Sequence, residues 1–174
     1  MRQGVVACLL SLGAVACITP AEGPSSYHFP KRFSAIQLIR VEHPQGTTEF
    51  AATLDRESDA ITVVVLEPIT LRPLLRLEDV SGTFSMTQGA SQELPLPERE
   101  GRWLLATLRA MLDAKDQPLV AGFVEKSLTA QVWYRLEAFE GGPECRWPRR
   151  IEWQMSQPRA IRVKVENREW TCLP

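Results

Sequence analysis

The hydrophobic period of this chain changes twice, and that order restricts its fold more than any single motif does. From Phe33 the period is two. FSAIQLIRV (33–41) and TTEFAATL (47–54) read as strands joined by a turn at His43-Pro44-Gln45-Gly46. In the second, Phe50, Ala52 and Leu54 share one face and Glu49, Ala51 and Thr53 the other. A polar connection is expected at 55–59. AITVVVLE (60–67) is then apolar on both faces, so each face needs cover from a helix, a ligand or the rest of a curved sheet. Two prolines interrupt the pattern in LEPITLRP (66–73), and shorter strands are expected at 74–78 and 83–87, followed by a loop over 89–100.

The period next becomes helical. In GRWLLATLRAMLDA (101–114), Leu104, Leu108, Met111 and Leu112 fall on one helix face with Leu105 beside them. A second short helix is expected over 119–128, gathering Leu119, Val120, Phe123 and Val124. Neither is long enough to stand alone, so each is expected to pack on the sheet. Period two then returns at 131–139, 150–155 and 160–170. Strands, helices, then strands imply an α+β domain: one strongly curved antiparallel sheet, a half β-barrel, with two or so covering helices.

The first thirty residues read differently. Arg2 gives a positive start and VVACLLSLGAV (5–15) is an apolar run of signal-peptide length, well short of the roughly 18 to 20 apolar residues a membrane span needs. Ala14, Val15 and Ala16 then precede Cys17. This resembles a bacterial lipoprotein signal, which implies cleavage after residue 16 and lipid on Cys17; Cys8 is a rival that would leave little apolar core. An ordinary secretory signal is the alternative. Ile18 follows, not the aspartate that retains such proteins in the inner membrane, so the resemblance implies an outer-membrane protein facing the periplasm. Residues 18–30 (ITPAEGPSSYHFP) read as a tether reaching at most about 45 Å. The expected organisation is thus a signal over 1–16, a lipidated cysteine and tether over 17–30, and one domain over 31–174.

With Cys8 and Cys17 accounted for in this way, Cys145 and Cys172 remain. A hairpin turning over 156–159 would set them almost opposite each other, close enough for a disulfide. Two buried free thiols are the alternative; a zinc site with His28 and His43 lacks suitable spacing.

The net charge of −1 disfavours a nucleic-acid partner. His28 and His43 are poorly placed for a catalytic triad, and no nucleophile, metal or phosphate-loop motif occurs, so no enzyme, metal or cofactor is expected. Two features could carry binding. The RWPRR run (146–150) could attract phosphates or lie as a solvated strand edge. Val63, Val65, Phe84, Leu104, Leu108, Met111, Trp133 and Trp153 offer more apolar surface than a small sheet needs; they either fill a core or line an acyl-chain cavity.

Taken together, lipoprotein cysteine, tether, strand meander, proline-containing loop, helices and closing strands resemble the LolB family of outer-membrane lipoprotein receptors. They resemble still more a LolB-like family of outer-membrane lipoproteins in the LolB/LolA-type half-barrel superfamily. The likeness spans about 33–168, and ITVVVLEPITLRPLLRL (61–77) corresponds to a segment of that family. It implies a non-enzymatic protein that binds acyl chains such as palmitate and aids lipid or lipoprotein transfer; a filled-core accessory lipoprotein that docks a protein is the alternative. In LolB a Pro-Leu-Gly loop presents a leucine to the membrane. Here Pro68-Ile69-Thr70 stands in its place without the glycine, so Ile69 would take that role with Leu71 sharing it, or both simply pack at a strand end.

Overall fold

The structure is a computed structural model that describes residues 26–89, 96–115, 117–142, 145–156 and 160–174. The signal over 1–16 and Cys17 lie outside these residues. Among the described residues nine strands form one antiparallel sheet, in the order β6-β5-β4-β3-β2-β11-β10-β9-β8. They are β2 (Arg32–His43), β3 (Gly46–Glu57), β4 (Ala60–Leu66), β5 (Pro73–Val80), β6 (Thr83–Gln88), β8 (Val124–Thr129), β9 (Val132–Glu140), β10 (Trp147–Met155) and β11 (Ile161–Cys172). A separate pair joins β1 (Ser26–Tyr27) to β7 (Gln117–Pro118). Among the described residues there is one helix, α1 (Glu98–Leu112).

The sheet is strongly curled. β5 stands second in the order and β8 last, yet α1 touches both. Seven strand spacings laid flat would separate them by about 34 Å, far beyond the reach of one helix of about 10–12 Å diameter. Among the described residues the edge strands β6 and β8 do not pair, so the sheet is not closed and the helix bridges its two sides.

Helix α1 forms for the expected reason. Leu105, Leu108, Met111 and Leu112 are buried on one stripe, while Glu98 and Glu100 in the first turn complement the helix dipole. Gly101 permits the approach to the sheet: a Cβ there would lie 3.0 Å from Met86 Sδ and 3.2 Å from Leu77 Cδ2. The helix C-terminus is tied to the sheet by two arginines. Arg109 Nε donates to Asp79 Oδ2 at 2.7 Å. Arg56, nearly buried, donates to the Leu112 carbonyl at 2.9 Å and to Asp113 Oδ1 at 2.6 Å. Replacing Arg56 with Met strips the buried carbonyl of its donor and is expected to lower stability by about 2–3 kcal/mol, read from urea denaturation.

The second helix expected over 119–128 is not formed. Ala121 and Gly122 both have positive φ, 50° and 83°, and make a tight turn closed by Val120 and Phe123. Residues 124–129 then pair with β9 as β8. The apolar spacing there mimics a helix, but the Ala-Gly turn breaks it. The polar connection at 55–59 also contracts: β3 runs through Glu57, where Arg56 points inward, and only Ser58 and Asp59 turn. Of the tether over 17–30, residues 26–30 are packed. Tyr27 and Phe29 are buried because they alternate inward beside the exposed His28.

These two aromatics plug one end of the half barrel. Tyr27 meets Phe29 edge-on at 5.1 Å and Phe139 at 4.6 Å; Trp147 lies 5.4 Å from Phe29 and 4.3 Å from Phe33. At the same end Cys145 and Cys172 are disulfide-bonded with Cα atoms 5.8 Å apart, as the hairpin register requires. Tyr134 Oη donates to Gln117 Oε1 at 2.7 Å nearby. Burial pushes the Tyr27 and Tyr134 hydroxyls well above the ordinary phenol range. A raised acid pKa favours the neutral form when folded, so this contribution is whole below the unfolded phenol pKa of about 10 and is lost above it. Stability is therefore expected to fall steeply above about pH 10, with tyrosinate absorbance at 295 nm rising together with unfolding rather than before it.

The buried amides of Gln37 and Asn167 are matched. Arg168 forms a bulge in β11, between Asn167 and Glu169. Asn167 accepts from Gln37 Nε2 at 2.8 Å and donates to the Pro148 carbonyl at 2.6 Å. The bulge reverses the facing of the last residues, so Trp170 and Cys172 turn inward opposite Ala35 and Phe33.

Candidate functional site

The concave face carries a continuous apolar strip. In one register row Phe50, Ile39, Val165 and Ile151 lie side by side across β3, β2, β11 and β10. The next row holds Val41, Val163 and Trp153. Ile151 and Val165 are buried, whereas Ile39, Phe50, Val163 and Trp153 are only partly so. The strip lies toward the end of the half barrel opposite the aromatic plug.

The eight apolar residues singled out in the sequence divide three ways. Val65, Leu108 and Met111 are buried in the core. Val63, Phe84 and Trp153 are partly buried against it, with the Trp153 indole donating to Met111 Sδ at 3.2 Å; Leu104 is half-buried on the helix flank. Trp133 lies on the other side of the sheet, in register with Ser127 and Gln154. Its neighbours Arg135 and Glu137, two and four residues on, already marked that face as the wet one. Phe50 and Val163 were legible as inward positions of their strands but not as parts of one strip, because the β2–β11 pairing brings together strands from near the two ends of the domain.

Ile69 and Leu71 stand at the rim of the same end. The turn between β4 and β5 is firmly held: Glu67 N–H donates to the Arg72 carbonyl and Leu71 N–H to the Glu67 carbonyl, both at 2.9 Å, while the Glu67 carboxylate accepts from Thr70 N–H and Oγ1. Ile69 is 88% exposed and Leu71 60% exposed, the latter with a left-handed φ of 56°. A large apolar side chain in that conformation and in water is supported neither by local preference nor by packing.

The RWPRR run is not a free basic patch. Trp147 and Pro148 are buried, Arg149 pairs with Glu140 at 3.2 Å, Arg150 lies 4.0 Å from Glu137 and Arg146 stacks over Phe139 at 5.4 Å. Among the described residues no group of three metal-ligating side chains occurs, and no helix is long and apolar enough to cross a membrane. A cleft of about 280 Å³ on the outer face is ringed by charges, among them Arg40, Lys164 and Glu166, over Leu38.

An open antiparallel half barrel, bridged by a helix and apolar within, defines a LolA-like fold. The solved structure of a LolA superfamily protein from Nitrosomonas europaea superposes with a TM-score of 0.52 at 9% identity, covering 84% of this chain and 89% of that one. A DUF1329 family protein from Desulfovibrio piger aligns over 82% of this chain and 86% of its own at 6% identity, with a TM-score of only 0.34. No protein-family model matches the sequence, and no curated protein matches it.

Proposed function

We propose that this chain is a non-enzymatic, lipid-anchored protein of the outer membrane that binds acyl chains on its concave face and aids lipid or lipoprotein transfer at the periplasmic surface. Cys17 would carry the anchor. The observation that carries the reading is the partly exposed strip of Ile39, Phe50, Val163 and Trp153, open at the end where Ile69 and Leu71 project. Each methylene laid on such a strip contributes about 0.8 kcal/mol, enough to hold a chain and weak enough to return it. The exposed turn would touch the apolar region of a bilayer as the chain passes.

The test is titration with a fluorescent long-chain fatty acid. Wild-type protein is expected to saturate, and Phe50→Asp to bind at least about tenfold more weakly, since a carboxylate then faces the chain. Absence of any saturable binding by the wild type sinks the reading. Ile69→Asp is expected to leave fatty-acid affinity unchanged while reducing sedimentation with phospholipid vesicles several-fold. A second reading, an accessory lipoprotein with a filled core, draws on the close packing of Val65, Leu108 and Met111. Under it Phe50→Asp would shift only the stability.

A further inference from the structure

The outer face of strands β8, β9, β10, β11 and β2 is ruled by charge. One register row reads Glu125, Arg135, Glu152, Lys164, Arg40. Its members are engaged with one another or with neighbours: Arg135 with Glu125 at 4.0 Å and Glu137 at 3.5 Å, Lys164 with Glu42 at 2.6 Å, Glu152 with Arg162 at 2.9 Å. The adjoining stretch of β8, β9 and β10 breaks the rule. There Ser127, Trp133 and Gln154 lie in register, with no charge among them.

A cleft of about 80 Å³ opens on these residues and is completed by Thr129, Ala130 and Ser156. Two of its hydroxyls already serve the backbone. Thr129 Oγ1 accepts from the N–H groups of Gln131 and Val132 at 3.2 and 3.1 Å, and Ser156 Oγ donates to the Gln131 carbonyl at 3.4 Å. Ser127 Oγ and the Gln154 carboxamide are different: among the described residues they have no protein hydrogen-bond partner. Beside them stands the half-buried indole of Trp133, next to the charged row of Glu125, Arg135 and Glu152.

We propose that this cleft is a carbohydrate subsite that takes one pyranose ring of a neutral glycan. The indole offers a flat apolar wall to the C–H face of a sugar, and sugars present such a face beside their hydroxyls. Ser127 and Gln154 supply a hydroxyl and a carboxamide, each able both to donate and to accept, which is the complement of an uncharged polyol. Arg162, the cation in register with Gln154, is held by Glu152, so it is not offered to an anionic ligand. An acyl chain would bury the Ser127 hydroxyl and the Gln154 amide without partners, which is costly. The cleft is small and open, so a ring would lie over it against the indole with one edge entering, and the rest of the glycan would run over the outer face. This site lies on the opposite side of the sheet from the apolar strip, so it does not depend on acyl-chain binding.

The experiment is calorimetric titration of the folded protein with chitotetraose, cellotetraose and maltotetraose. Saturable binding of at least one is expected. Trp133→Ala and Ser127→Leu, the first removing the wall and the second filling the cleft, are each expected to weaken it by about tenfold or more. Near-ultraviolet circular dichroism checks that each variant folds, and fluorescent fatty-acid titration of both should match the wild type. No saturable heat with any of the three sugars overturns the proposal. So does wild-type sugar affinity in either folded variant.

Discussion

Truncating Trp147 to alanine is expected to cost about 4 kcal/mol, among the largest single-residue losses in the domain. The side chain is fully buried and stands between Phe29 and Phe33, so its removal opens a cavity that two rigid rings cannot collapse to fill. The effect should appear as a lower urea midpoint. Trp147→Phe gives the contrasting result. Its indole N–H has no hydrogen-bond partner among the described residues, so the phenyl ring loses area but also removes a buried, unsatisfied donor. A cost under about 1.5 kcal/mol is expected for that variant. If the two substitutions cost the same, the plug is not held by packing.

Reduction of the Cys145–Cys172 bond is expected to cost about 3.5 kcal/mol, the chain-entropy value for the 27-residue separation it closes. The bond pins the last residues of β11, where Leu173 N–H also donates to the Arg32 carbonyl at 3.0 Å. Urea midpoints with and without dithiothreitol measure the loss, and a Cys145→Ser/Cys172→Ser double variant should show no reductant dependence. Hydrogen exchange should quicken first over 170–173, the part that the bond holds. A midpoint indifferent to reductant would mean that strand pairing alone secures this end.

The two effects fall at one end of the molecule, and both partners of the bond were legible before any coordinate. Alternation places strands reliably when one face is wet, and hairpin register then follows by counting. That reasoning located β10 and β11 and with them the disulfide. It failed at 119–128, where Leu119, Val120, Phe123 and Val124 have helical spacing but Ala121 and Gly122 adopt a left-handed turn. Gly122 was the available signal. It failed for Tyr27 and Phe29 because prolines, serines and a glycine outweighed two aromatics whose spacing of two was the real message. The apolar strip was out of reach for a topological reason: Ile39 and Val165 are opposite each other in space but lie near the two ends of the domain in sequence. The prominence of Ile69 could be suspected from its place between Pro68 and Thr70, but its 88% exposure depends on the Glu67 carboxylate that closes the turn.

Helix α1 spans the open side of the sheet as a string spans a bow. Among the described residues the two edge strands do not bond, so the described ladder does not itself fix how tightly the nine strands bend. The length of the string does. Gly101, set against Leu77 and Met86 on one limb, makes the shortest link in it. A bulkier residue there would lengthen the span and relax the curve, widening the whole concave face by a change at one position that no ligand touches. The width of the groove is thus a property of one helix rather than of the strands that line it, and proteins of this shape can be resized by retuning a single chord.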